Sequence, residues 1–318
     1  MTDVLFLKPT FQNKMWGGQK LRTDFHYEIP SDHTGECWAI SAHPHGPATI
    51  ANGDFAGLTL AELWDQQPAL FGNLDSPVFP LLTKILDAAK VLSVQVHPDD
   101  QYAKEHEHEL GKTECWYVLS AEPGSYLIYG HNAHDKAELK EKVDQGQWDQ
   151  LLRKVYVKTG DFFFVPSGTL HAIGAGVVVL ETQQSSDTTY RFYDFDRVDP
   201  STGKTRELHL QQSIDCTETP FVDQNQVPVT TEYEHASVTQ LVDSTHFIVN
   251  KWQTNFGHLT LHHEVAPYTL VSVVDGQGEL KINDQGYPVT KGDHFIIPAT
   301  TNEWTIAGNM TVIASEPK

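Results

Sequence analysis

The run "VLSVQVHPDD" at residues 91–100 alternates apolar and polar side chains, and its polar set has the makings of a binding site. Side chains at i, i+2 and i+4 of an extended strand share a face. Ser93, Gln95 and His97 therefore point one way, and Leu92, Val94 and Val96 the other. An apolar face packs; a polar face carrying an amide and an imidazole lines something wet. In the next strand-like run, "TECWYVL", Glu114 and Trp116 share a face, and an antiparallel pairing with residues 93–97 would bring Glu114 alongside Gln95 and His97.

A fourth group comes from the spacing G-x5-P-x-G-x2-H in residues 160–171, which is similar to the second signature of cupin barrels, where the histidine turns inward to a metal. The plain alternative is a tight turn with a surface histidine. With His171 added, the set is one amide oxygen, one carboxylate and two imidazoles. It suits a Zn²⁺ that keeps room for water or substrate. The His-His-Glu part would equally serve Fe(II) in an oxygenase, although the glutamine is unusual there.

The elements that must position these groups read as mostly β. Short runs such as "CWAISA", "DFFFVP", "GVVVLETQQ", "YTLVSVV" and "DHFIIPA" are bounded by Gly, Pro, Asn or Asp. Helical patterning is confined to 59–72, 99–111 and 134–155, the last splitting near Gly146. "GDFFFVP" at 160–166 recurs as "GDHFIIP" at 292–298, each after a hairpin-like pair. Such a repeat predicts two related β-barrels in tandem, 1–235, carrying the chemistry and the helical insertions, and 236–318. The similarity of 160–171 to the cupin signature makes the expected fold class two cupin (jelly-roll) barrels. The polar segment 199–236 serves as the connection. Glu303 holds the second-barrel position that matches His171, so that barrel is expected to be metal-free.

Acidic residues outnumber basic ones 42 to 22, a formal charge of −20, which opposes nucleic acid or anionic membrane as partners. A small anion still fits if a few cations converge locally. Three widely spaced cysteines without C-x-x-C suggest a reducing compartment. With no leader-like start and no run of about 18 apolar residues, the expected location is cytoplasmic.

Four separated blocks, "KVLSVQVHPDD", "GKTECWYVL", "VPSGTLHAIGAG" and "LETQQSSDTTYRFYDFDR", closely resemble type I mannose-6-phosphate isomerases of the short bacterial form, from "LKPTFQNKMWGGQKL" onward. The resemblance implies an aldose–ketose isomerase with one Zn²⁺ per chain on Gln95, His97, Glu114 and His171, acting on a small sugar phosphate through an enediolate. It implies that Ser93 and Lys84 handle the phosphate and that Arg191 stabilises the enediolate or assists ring opening. Lys112, Trp16 and Glu36 fall on pocket-lining motif positions. The general base stays open between Lys112 with a lowered pKa, a zinc-bound hydroxide and Glu36. Arg197 stands where longer members carry a lysine and is expected to bind substrate with Ser93, Lys84 and Trp16, completing a cationic pocket with Lys84, Lys112 and Arg191. The large helical insertion of those members is missing.

Each assignment has a plainer counterpart. Glu114 would be a salt-bridge partner of Lys112, Arg191 a tie for the aspartates of "YDFDR", and Trp16 a core plug. His106 and His108 sit on a solvated face. The functional alternatives are a non-catalytic sugar-phosphate-binding cupin, an Fe(II) oxygenase, or a different cupin isomerase. Oligomeric state is not legible.

Overall fold

The computed structural model describes residues 3–199 and 202–318. The N-terminal half is built from two antiparallel sheets. One has six strands in the order Phe162–Val165, Glu114–Ala121, Val177–Gln184, Leu81–Ala88, Thr10–Gly18, Thr34–Ile40; the other has five, Tyr190–Tyr193, Val94–Val96, His171–Ile173, Tyr126–His131, Leu152–Tyr156. Alternation along the six-stranded sheet separates two environments. Trp116, Val118, Leu86 and Val179 turn inward to a core shared with Leu92, Leu127 and Ile173 of the other half-barrel. Cys115, Ile85, Leu180 and Cys37 turn outward and pack with Phe247, Val249 and Leu270 of the C-terminal half. One cluster thus joins the two barrels, as the tandem cupin reading implies.

The C-terminal half is a nine-stranded antiparallel sheet curled round its own core of Trp252, Val271, Phe295, Trp304 and Val312. The chain start contributes to it: Leu5–Lys8 pairs with His294–Ile297, with Leu5 opposite Ile296. Both copies of the repeat build the same corner. Gly160 and Gly292 take φ of 89° and 96°, which a side chain would strain. The following aspartates, Asp161 and Asp293, accept the backbone N–H of Lys158 (2.9 Å) and Thr290 (2.7 Å).

Three of the helices begin where short polar side chains cap them. Thr59 and Glu62 form a reciprocal capping box ahead of Leu60–Gln66, Asp99 caps Asp100–His106, and Asp135 caps Lys136–Asp144. Two local expectations need correction. Of 134–155, only Lys136–Asp144 and Trp148–Leu151 are helical, split at Gly146 with φ 65°; Leu152–Tyr156 becomes an edge strand because it pairs with Tyr126–His131. The segment 199–236 is more than a connection. Leu210–Cys216 is a helix, and its Leu210, Ile214 and Cys216 pack with Val94, Val96 and Phe192 on the outer face of the five-stranded sheet.

Candidate active site and metal centre

The strand Val94–Val96 divides as its parity predicts. Leu92, expected on the outer face with Val94 and Val96, instead packs inward with Trp16, Leu86 and Trp116 and borders the cavity, because the regular strand begins only at Val94. Val94 and Val96 are fully buried against the outer helices, while Gln95 and Ser93 border the interior cavity. Gln95 lies on the second strand of its sheet, between the edge strand Tyr190–Tyr193 and the central strand His171–Ile173. It stands opposite His171 on one neighbouring strand and Arg191 on the other. Glu114 does not arrive as expected. It lies on the facing six-stranded sheet, opposite Val165 and Gln183, and reaches His97 and His171 across the barrel interior. Closure of a curled sandwich, invisible to a strand-by-strand reading, brings the groups together.

One ligand atom from each of His97, Glu114 and His171 lies within 4.8 Å of the others, and all three side chains are buried. The imidazole Nε2 atoms of His97 and His171 each stand 3.4 Å from a different Glu114 oxygen. Each ring uses Nδ1 on a backbone carbonyl, Thr188 for His97 and Thr169 for His171, both at 2.9 Å. That bond selects the tautomer with a free lone pair on Nε2, the usual arrangement of a metal-ligating histidine. Burial lowers the pKa of both rings, that of His97 to about 3, so they are neutral and able to ligate. The Glu114 oxygens accept no well-aligned hydrogen bond, and the Lys112 ammonium stands 3.0 Å from Oε2. The Gln95 side-chain nitrogen lies 3.2 Å from His171 Nε2, and turning the amide about its last bond places its oxygen there instead. The donor set fits a divalent cation.

The plainer role of Glu114 is present as well. The Lys112 ammonium is 3.0 Å from Glu114 Oε2 and 3.2 Å from His97 Nε2. Burial pushes the Lys112 pKa down, but Glu114 and Glu181 outweigh it and the net shift is upward. That direction runs against Lys112 with a lowered pKa, one of the three candidates for the general base that the sequence left open. Glu114 is penalised by burial yet held well below the usual carboxylate range by Lys112 and the two histidines.

Next to this cluster is a cavity of about 310 Å³. Trp16, Glu36, Lys84, Ser93, Lys112 and Arg191 all line it. Lys84 is buried, 3.9 Å from Glu36 and 4.0 Å from Glu181, with its ammonium over the Trp38 ring. Glu36 also pairs with Lys14 at 3.1 Å and accepts the Trp38 indole N–H at 2.6 Å; burial opposes its ionisation, but Lys84 and Lys14 keep its pKa lowered. Trp16 is both wall and plug, packed among Leu86, Leu92 and Trp116. Arg191 donates to the Glu207 carbonyl at 2.8 Å, and its Nε is buried without a partner.

Arg197 is not brought into this lining. Its guanidinium is taken up by Asp194 and the Val91 carbonyl. Arg206 lines the cavity in its place, braced by two bonds to Asp194 (2.8 and 2.7 Å). Arg206 comes from an irregular segment with no pattern to announce it. Glu181 is the other residue that sequence reasoning passed over. It sits at the end of an apolar run, buried, accepting the Trp116 indole N–H at 2.9 Å, and burial followed by the Glu114 charge raises its pKa. A carboxylate in the strand "VVVLETQQ", in phase with inward-facing residues, was the available signal. His106 and His108 are exposed, and the cysteines are free thiols. Among the described residues no helix is long and apolar enough to cross a membrane.

Comparison with known proteins agrees with this geometry. Residues 4–124 match the phosphomannose isomerase type I catalytic domain, and residues 237–317 the mannose-6-phosphate isomerase cupin domain. The chain is 53% identical to a mannose-6-phosphate isomerase of Streptococcus mutans, over 99% of this chain and 98% of the relative. It is 49% identical to one of Bacillus subtilis, over 99% of both. A crystal structure of the mannose 6-phosphate isomerase from Bacillus subtilis superimposes with a TM-score of 0.95 at 46% identity, over 99% of this chain and 100% of that one. A buried His-Glu-His cluster on facing cupin sheets, beside a cation-lined cavity and within a full-length match of this kind, means that the chain belongs to the type I mannose-6-phosphate isomerase family.

Proposed function

We propose that this protein interconverts mannose 6-phosphate and fructose 6-phosphate, with one zinc ion per chain held by Gln95, His97, Glu114 and His171. The observation that carries the reading is the buried Glu114 carboxylate, unpaired by hydrogen bonds and faced by two neutral imidazoles, at the edge of a cavity rich in cations. Zinc, when bound, supplies Lewis-acid stabilisation of negative charge on the sugar oxygens. The remaining work falls to side chains of this chain. Lys84, Arg191 and Arg206 give an acidic protein a local cationic surface for the phosphate dianion, and Ser93 adds a hydroxyl beside Gln95. Holding the phosphate places C1 and C2 of the sugar next to the metal cluster.

Proton transfer between C1 and C2 needs a group that changes protonation easily. Glu181, with its raised pKa, lines the cavity beside the cluster and meets that need; Lys112 lines it too, but the upward shift of its pKa keeps it protonated. Glu36 is less suited, because two lysines stabilise its ionised form. A volume of about 310 Å³ lies at the lower end of the usual range for small-molecule sites. The test is metal content together with formation of fructose 6-phosphate from mannose 6-phosphate, before and after chelation. Loss of activity on chelation and its return with zinc are expected. Full activity in the metal-free protein overturns the reading, and tight binding without turnover would make the protein a sugar-phosphate-binding cupin.

A further inference from the structure

The two histidines of the cluster are oriented in different ways. His171 bonds the carbonyl of Thr169, two residues before it in the same turn. His97 depends on the carbonyl of Thr188, in the irregular stretch 186–189 that no sheet ladder holds. Gln183 holds the Ser186 carbonyl (2.6 Å) and His45 faces Asp187 (3.1 Å), but the residue that gathers several donors of the stretch is Glu109, from the segment between the helix Asp100–His106 and the strand Glu114–Ala121. Its Oε2 accepts from the Ser186 hydroxyl (3.0 Å), the Thr188 hydroxyl (2.9 Å) and the Asp187 backbone N–H (3.3 Å). Its other oxygen faces the buried His43 ring at 3.7 Å. The stretch so clamped also presents Asp187 to the cavity.

We propose that Glu109 is a positioning residue for the metal centre, acting through Thr188 on His97. The inference rests on the metal reading of that centre. The Thr188 carbonyl sets both the tautomer and the plane of the His97 ring, so it sets where the Nε2 lone pair points. Releasing three donors at once lets the carbonyl shift. Outer partners of metal-bound histidines typically change metal affinity by about 10–100-fold.

Zinc affinity measured by chelator competition, on the full chain, tests this without reference to catalysis. Glu109→Ala is expected to weaken zinc about 10–100-fold. Glu109→Gln, whose amide oxygen still accepts from the two hydroxyls, is expected to stay within about threefold of wild type. A purely structural role would lower the Tm of the metal-free protein and leave the affinity alone; an affinity for Glu109→Ala within about threefold of wild type overturns the proposal. Should that variant not fold, Thr188→Val removes one clamped hydroxyl while keeping the carbonyl. Weaker zinc then supports the proposal, and unchanged affinity overturns it. A wild-type protein that binds no zinc overturns the metal reading itself, and this inference with it.

Discussion

Lys112→Met separates the electrostatics of the empty cluster from those of the loaded one. The Lys112 ammonium lies 3.0 Å from a carboxylate with no exposed surface. At an effective dielectric constant near 20 that separation is worth roughly 5–6 kcal/mol of attraction. Removing one partner of a buried pair costs about 3–5 kcal/mol, because the other charge stays behind uncompensated. The metal-free variant should therefore melt on the order of 4–8 °C below wild type. With zinc bound, a dication takes over as the counter-charge to Glu114 and most of that penalty disappears. The difference between the two states is a gain in zinc affinity of about 10²–10³-fold. Calorimetry with and without zinc, beside a chelator titration, measures both quantities. Equal Tm losses in the two forms, or an unchanged zinc affinity, would refute the reasoning. A kcat near that of wild type would also remove Lys112 from the candidates for proton transfer.

Arg206→Ala should raise the KM for mannose 6-phosphate about 10–100-fold, the loss of a charge-assisted contact, whereas Arg197→Ala should change it little; steady-state kinetics on both variants decides. Burial depresses the His97, His171 and His294 pKa values, the first and last to about 3, below the unfolded value near 6.5. The unfolded chain therefore binds more protons below about pH 6.5. The contribution of these rings is complete above that pH and is lost as pH falls toward 3. The Tm of the metal-free protein should drop along this range, with a shallower slope in His294→Gln; an unaltered slope excludes His294. Thr59→Ala breaks the capping box of Leu60–Gln66 and should cost about 1 kcal/mol, seen as a small Tm loss with kcat unchanged.

Much of the site was legible because it lies on strands. A period of two assigns faces without any tertiary information. It separated Gln95 from Val94 and Val96, and placed Glu114 with Trp116. The cupin-like turn pointed to His171, and register confirms it opposite Gln95. The same logic stops where the chain is irregular. Arg197 and Arg206 lie in one turn-rich stretch, and which of them reaches the cavity is decided by how Asp194 and the Val91 carbonyl divide their hydrogen bonds. The edge strand Leu152–Tyr156 was hidden for a related reason. Its pairing with Tyr126–His131 overrides a local helical pattern.

The sequence by itself determined the tandem β architecture, the inward polar face of residues 93–97, and the family to which the motifs belong. Those properties are local, set by side-chain alternation, turn chemistry and ordered blocks. Only the tertiary structure decided that Glu114 meets the histidines across the barrel rather than beside them, that Glu181 joins the cavity, and that Arg206 displaces Arg197. Those depend on sheet curvature and closure, which bring together atoms on different sheets and loops, and pairwise spacing along a chain carries no record of that distance.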